Sequence, residues 1–358
     1  MSGAKQMPWK ASEIDWREQG LHVFSAGEIA EIEAALKHLR GLGDLDLPQI
    51  TAERFPLDRV GHLMKDLRKT LRTGPGFAML RGLPIERYEP DDVARIYFGL
   101  GCHLGVPMVQ SYLGDLLGHV INVAEIEPKS RGYRKGGELA MHVDSTDLCD
   151  VVGLMCLRRS SNGGASRVAS ATAIYDALRA TRPDLMAVLE RGFQFRRGEE
   201  DGRVAGRHLS PHRIPSFAAQ QGEISCYFLP TYAIRAEQAG DSSLSEIEWE
   251  AIYAVEKLAT SDEFFIDMDF DVGDIQFLNN RTILHGRTDY VDEKPLERRR
   301  HLMRLWLRVP DWPSLPEPQQ FSTPAEQSAW ARGRRPMMEL PSVQLAELTG
   351  KLAAQQAG

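Results

Sequence analysis

Glu138-Leu-Ala-Met-His142-Val-Asp144 is the stretch on which the reading of this chain turns. Met141 and Val143 alternate with His142 and Asp144, a period of two that suits a strand packed on one side and lining a cavity on the other. At i and i+2 the imidazole and the carboxylate share a face, as two ligands of one metal must. A third ligand stands far downstream, in Gly273-Asp-Ile-Gln-Phe-Leu-Asn-Asn280-Arg-Thr-Ile-Leu-His285-Gly-Arg287. There a turn leads into a short strand, a polar bend at Asn279-Asn280 and an apolar approach to His285, and Gly286 lets backbone come close. Two imidazoles and one carboxylate make the facial triad that holds Fe(II) with positions left open, unlike a closed structural zinc site. Taken alone a His-x-Asp pair is a frequent chance match, and a lone His285 is more often a hydrogen-bonded core residue.

Working outward, short β-like runs dominate from about 110 to 310: 119–124, 138–143, 151–157, 192–196, 224–228, 264–270, 275–278 and 302–309. Two helices are expected among them, over about 170–181 and 245–260. Many short strands with few helices predict a mainly β fold with flanking helices, a sandwich or jelly roll, rather than a doubly wound sheet. Before them, Ser25-Ala-Gly-Glu28 reads as a capping box opening a helix. A second helix runs from Leu57 to Thr73, where Gly74-Pro-Gly76 stops it, and a third runs from Pro90 to about Gly105. Residues 196–215 lack periodicity and read as a mobile surface loop or a lid. After Trp312 a Pro-rich exit leads to a C-terminal helix and a frayed tail.

At 358 residues, 42% hydrophobic and 26% charged, the chain has the composition of a globular protein with ample core. A net charge of -7 argues against general nucleic-acid binding. No apolar run approaches the roughly 20 residues of a membrane span, and the N-terminus lacks a signal-peptide h-region. Cys102, Cys149, Cys156 and Cys226 form no CxxC pair, which favours reduced thiols and a cytoplasmic protein. His208 and His212 are four apart, but Pro211 argues against a regular helix there; His103 and His119 lack a carboxylate at ligand spacing, and all four are set aside.

Arg300-His-Leu-Met-Arg304-Leu-Trp-Leu-Arg308-Val adds the second signal. In a strand, Met303, Leu305, Leu307 and Val309 share one face, and Arg300, Arg304 and Arg308 the other. Inward arginines need anionic partners, because a buried unpaired charge is prohibitively expensive. A dicarboxylate held bidentately answers that need. A structural ion-pair ladder or a surface edge strand is the bland alternative, favoured for Arg308.

Together these segments resemble the taurine dioxygenase and clavaminate synthase-like family of Fe(II)/2-oxoglutarate-dependent oxygenases. The resemblance spans about Leu67 to Pro310 and rests on an ordered set: Gly74-Pro-Gly-Phe-Ala-Met-Leu-Arg-Gly-Leu-Pro84, Leu104-Gly-Val-Pro107, His142-Val-Asp144, Gly163-Gly-Ala-Ser166, Leu284-His-Gly-Arg287 and Arg300-His-Leu-Met-Arg304. It implies a double-stranded β-helix, with His142, Asp144 and His285 as iron ligands. It also implies Arg300 on the distal carboxylate of 2-oxoglutarate, with Ser166, often Thr in relatives, beside it. Arg304 would meet the near end of the co-substrate or an anionic substrate. Halogenating relatives replace the carboxylate with a small residue, so Asp144 points away from halogenation.

The expected layout is a helical lead-in (1–45), an oxygenase domain (46–315) and a C-terminal helical tail (316–358), one structural domain in all. The expected activity consumes O2 and 2-oxoglutarate to hydroxylate a C–H bond of a small anionic or zwitterionic molecule such as an amino acid. Gln110, Tyr112, Asn122, Asp147 and Arg304 are candidate substrate contacts. Desaturation, ring closure or C–S/C–N cleavage with the same cofactors stays open, since small changes in substrate pose decide the outcome. So does a non-catalytic metal-binding jelly roll. The expected partner is a small molecule, with neither nucleic acid nor membrane, and homo-oligomerisation is left open.

Overall fold

A computed structural model describes residues 7–128, 130–144 and 149–357. Its strands, in chain order, begin with β1 (Leu21–Val23), β2 (Phe77–Arg81), β3 (Val106–Pro107), β4 (Leu117–Ile121) and β5 (Leu139–His142). β6 (Val151–Arg158), β7 (Asn162–Gly163), β8 (Ser166–Ser170), β9 (Phe217–Gln220) and β10 (Glu223–Cys226) follow. β11 (Phe265–Met268), β12 (Ile275–Asn279), β13 (Ile283–Arg287), β14 (Tyr290–Val291) and β15 (His301–Arg308) complete the set. A seven-stranded sheet runs β1-β2-β12-β6-β15-β3, with β4 also on β15; a four-stranded sheet runs β11-β8-β13-β5. Only β1–β2 is parallel; the remaining pairs in both sheets are antiparallel. This is the jelly-roll core that the short runs predict.

Alternation along each strand decides where the core sits. Phe77, Met79, Cys156, Leu278 and Leu302 of the large sheet join Val168, Met268 and Ile283 of the small one in a single cluster, so these faces meet. The opposite residues, Ala78, Leu80, Met155, Phe277, Met303, Leu305 and Leu307, pack with the helices Ala26–Gly41, Arg59–Thr73 and Pro90–Leu104. Burying each large aliphatic chain there contributes about 1.5–3 kcal/mol. Gly101 sets how closely the last helix lies on β15, because a Cβ there would stand 2.2 Å from Leu305 Cδ2. Ile29, Ile32, Leu36 and Leu340 join this cluster, so the first helix and the C-terminal region share the core. Met141, Val143, Ala169 and Leu284 face outward from the small sheet into a second helical cluster. His142 and Asp144 are therefore left on the inner face.

Several local expectations change. The caps at Ser25–Glu28 and Ser245–Glu248 form, but the β-rich region also carries helices over Pro183–Arg191, Glu199–Ala205 and Pro230–Gln238. Two of these start on Pro at the first helical position, a start signal outweighed in the sequence by neighbouring short runs. The expected strand at 192–196 reduces to isolated bridges, Phe193 to Ile214 and Arg196 to Leu209. Its alternating aromatics instead serve the helical cluster. Residues 196–215 are not a free loop: Arg197 is 2% exposed, donating to both Glu326 carboxylate oxygens, the Ser322 hydroxyl and the Phe321 carbonyl. The C-terminal region holds two helices, Pro324–Arg332 and Pro341–Ala357, rather than one.

Candidate metal centre

β5 and β13 pair antiparallel with His285 opposite His142, and their rings lie 4.5 Å apart. Gly286 permits that approach, since a Cβ there would fall 2.6 Å from the Leu139 carbonyl oxygen. His142 Nδ1 donates to the Ala140 carbonyl at 2.7 Å, which leaves Nε2 with its lone pair free. The His142 and His285 Nε2 atoms stand 3.7 and 3.9 Å from Asp144 Oδ1. One donor atom from each residue lies within 4.8 Å of the other two, and no other His, Cys, Asp or Glu joins them among the described residues. Two nitrogens and one oxygen, with no fourth protein ligand there, fit an open iron site better than a closed zinc site.

Asp144 is 4% exposed and closely held. Trp306 Nε1 donates to Oδ2 at 2.6 Å and an Arg304 terminal nitrogen donates to Oδ1 at 3.3 Å. Asn280 takes the Asp144 amide on its side-chain oxygen at 2.8 Å and returns a hydrogen bond to the Asp144 carbonyl at 3.2 Å. Burial by itself would raise this carboxyl, but Arg304 and the two imidazoles outweigh it and hold it far below the usual range. Burial, followed by the neighbouring His142, pushes the His285 imidazole down to about 3, so it stays neutral as a ligand must. Trp306 and the Asn280 clasp were missed as site residues. The first sits two residues after Arg304 on the same strand face, and the second lies in the polar bend.

The three arginines part company. Arg308 is exposed. Arg304 is buried with its guanidinium between the Tyr133 and Trp306 rings, at 4.2 and 4.6 Å. Its Nε donates to Gln110 Oε1 at 2.9 Å. Arg300, 5% exposed, donates to the Gly164 carbonyl at 3.0 Å and has no carboxylate within ion-pair distance among the described residues. Burial first and Arg287 second lower it to about 10. Ser166 is buried at the start of β8, its hydroxyl donating to Gln276 Oε1 at 2.9 Å.

The other candidates scatter. Gln110 Nε2 donates to the Leu116 and Arg304 carbonyls, so with Oε1 it brackets Arg304. Tyr112 lines a cleft of about 610 Å³ with Gly118, His119, Tyr133 and Arg134, and its amide donates to Asp201. Asn122 Oδ1 caps the Ala124 amide at 3.2 Å. Asp147 lies outside the described residues. The segment expected as a loop or lid reaches the site wall: Asp201 pairs with Arg131, and both line one small cavity with Gln110 and Trp306. His103 and His212 bond to backbone carbonyls, His208 lies 3.9 Å from Glu199, and all three stay apart from the cluster.

Residues 43–306 match the model of the taurine catabolism dioxygenase TauD, TfdA family. The chain is 29% identical to FR-33289 synthase of Streptomyces rubellomurinus over 84% of its own length and 88% of that protein. It is 28% identical to the taurine hydroxylase-like protein SAT17 of Stachybotrys chartarum, over 84% and 78%. Among solved structures, asparagine oxygenase with Fe(II), 2S,3S-3-hydroxyasparagine and succinate aligns at a TM-score of 0.63. Its identity is 16%, over 81% of this chain and 93% of that one. The non-heme iron oxygenase OrfP with Fe and alpha-ketoglutaric acid aligns at 0.59, with 15% identity over 81% and 94%. The chain belongs to the TauD, TfdA dioxygenase family. It is an oxidoreductase of the iron- and 2-oxoglutarate-dependent dioxygenase class, built on a jelly roll.

Proposed function

We propose that this dioxygenase hydroxylates an unactivated C–H bond of a small anionic or zwitterionic molecule, an amino acid being the simplest fit. The carrying observation is the three-donor cluster facing the same interior as two buried arginines, one of which lacks a counter-ion among the described residues. His142, Asp144 and His285 hold Fe(II). Arg300, with Ser166 beside it, holds the distal carboxylate of 2-oxoglutarate, and Arg304 meets its near end or an anionic group of the substrate. When bound, iron and 2-oxoglutarate supply the oxidising power, O2 being consumed as the co-substrate loses CO2 to become succinate.

The protein's own part is placement. Trp306 takes one Asp144 oxygen and so turns the other, which also accepts from Arg304, towards the two imidazoles, and Asn280 fixes the backbone beneath it. Gln110 and the two aromatic faces hold Arg304 in one pose. The amino acids named with the neighbouring structures support an amino-acid-like substrate. The shared core of lead-in, barrel and tail supports one domain. Four free thiols, and the absence among the described residues of a helix long and apolar enough to cross a membrane, support a cytoplasmic location.

The test is anaerobic titration with Fe(II) and 2-oxoglutarate, followed by succinate release in air against pooled amino acids, sulfonates and small carboxylates. The expected result is a metal-to-ligand charge-transfer band and a product heavier by one oxygen. A product short of two hydrogens would replace hydroxylation by desaturation or ring closure. No band would leave only a metal-binding jelly roll.

A further inference from the structure

Arg287 closes β13 two residues after His285 and is as buried as Arg300, 6% and 5% exposed. Its register partner is Ser166, and residues paired across antiparallel strands present their side chains to the same face. Among the described residues the guanidinium donates to backbone carbonyls alone, Gly137 at 3.1 and 2.7 Å and Lys135 at 2.9 Å. Like Arg300, it has no carboxylate within ion-pair distance among the described residues. Both guanidinium carbons stand over one ring, Tyr290, at 4.6 and 5.4 Å from its centroid.

The nearby acids pair with neither guanidinium, although the buried Asp292 Oδ2 has no hydrogen-bond partner among the described residues. Asp292 Oδ1 accepts from the Arg300 backbone amide and Asp289 Oδ1 from the Tyr290 amide. Burial first and the Arg287 charge second pull the Arg300 guanidinium down, and burial lowers Arg287 as well. Two buried like charges sharing one aromatic ring are unfavourable until an anion joins them.

We propose that Arg287 is a specificity-determining residue of the co-substrate pocket: with Arg300 it forms a two-cation seat against Tyr290 that selects a 2-oxo acid bearing a distal carboxylate over one lacking it. The inference rests on 2-oxoglutarate being held at Arg300. Arg300 makes the contact, and Arg287 adds charge while its carbonyl bonds hold it in place beside Ser166.

The test is equilibrium binding to the anaerobic Fe(II) protein, by calorimetry, of 2-oxoglutarate and of 2-oxovalerate, which lacks the distal carboxylate. Arg287→Gln should weaken 2-oxoglutarate by about tenfold or more and 2-oxovalerate by less than about twofold. Arg287→Lys should recover most of the loss, and Arg287→Met replaces the Gln variant if that one does not fold. Unchanged 2-oxoglutarate affinity, or parallel weakening of both acids as a tether to Lys135 and Gly137 alone would give, overturns the proposal. Arg300→Ala is the control. If it leaves wild-type 2-oxoglutarate affinity intact, the underlying reading fails; if it alone weakens binding, only the role of Arg287 fails.

Discussion

Two pairs of histidines, all buried but the half-buried His142, come together across paired strands, and only one pair can hold a metal. His142 and His285 stand 4.5 Å apart, and His119 and His301 stand 4.9 Å apart. In the second pair every ring nitrogen is used. Arg158 donates to His301 Nδ1, His301 Nε2 lies 2.7 Å from His119 Nδ1, and His119 Nε2 lies 2.6 Å from the Glu339 carbonyl. A donor at one end and a carbonyl at the other fix the tautomers of this chain, leaving no lone pair to spare. In the first pair the Nε2 atoms of both rings face Asp144. Proximity of histidines is therefore not the signal. An idle lone pair beside a carboxylate is.

The largest effect should come from removing what distinguishes the pairs. Asp144→Ala should abolish detectable hydroxylation and Fe(II) binding, since it deletes a ligand and leaves Arg304 buried without its counter-ion. Product analysis together with metal titration checks this, and intact turnover would remove Asp144 from the triad.

The closed pair should show itself through acid. Burial lowers His119 from 6.5 to about 4, and His301 is lowered too. A histidine depressed in the folded state takes up its proton first when unfolded. Stability is therefore untouched above about pH 6.5 and falls as pH drops towards 4, by about 3 kcal/mol at most for His119. Urea unfolding at several pH values, compared with His119→Gln, should show a shallower acid loss in the variant. Parallel curves would mean the pair does not titrate as its burial requires.

Smaller still, Trp306→Phe keeps the ring and removes the N–H donor to Asp144. Fe(II) affinity should fall about tenfold, the lower end for losing a partner of a metal ligand, with little change in melting temperature. An unchanged affinity would show that Arg304 and Asn280 orient the carboxylate unaided. Smallest of all, His212→Ala, which deletes a side chain bonded to the Pro318 carbonyl, should shift metal affinity by less than about twofold.

How much of this was legible depended on range. The alternation about His142 placed Met141 and Val143 outward and the ligands inward, as the packing has it. The same period put Met303, Leu305 and Leu307 under the helices and Arg304 inside. Three short helices escaped for different reasons: Pro183–Arg191 has its own apolar repeat at Leu185, Met186, Val188 and Leu189, whereas the shortest has none and depends on what it packs against. That helix, Glu199–Ala205, is tied to the site wall through Asp201 and Arg131. Gln110 was read as a substrate contact, but its side chain brackets Arg304, a relation between residues far apart in the chain.

The sequence by itself determined the candidate ligand types, the faces they occupy and the family to which their order belongs, because side-chain chemistry and strand period are local. Tertiary structure decided which histidine stands opposite which, which oxygen of Asp144 Trp306 takes, and that Arg287 and Arg300 share one ring with no ion-pair partner among the described residues. Those facts depend on strand register and on the burial of charge. Both arise only when distant segments pair and exclude water.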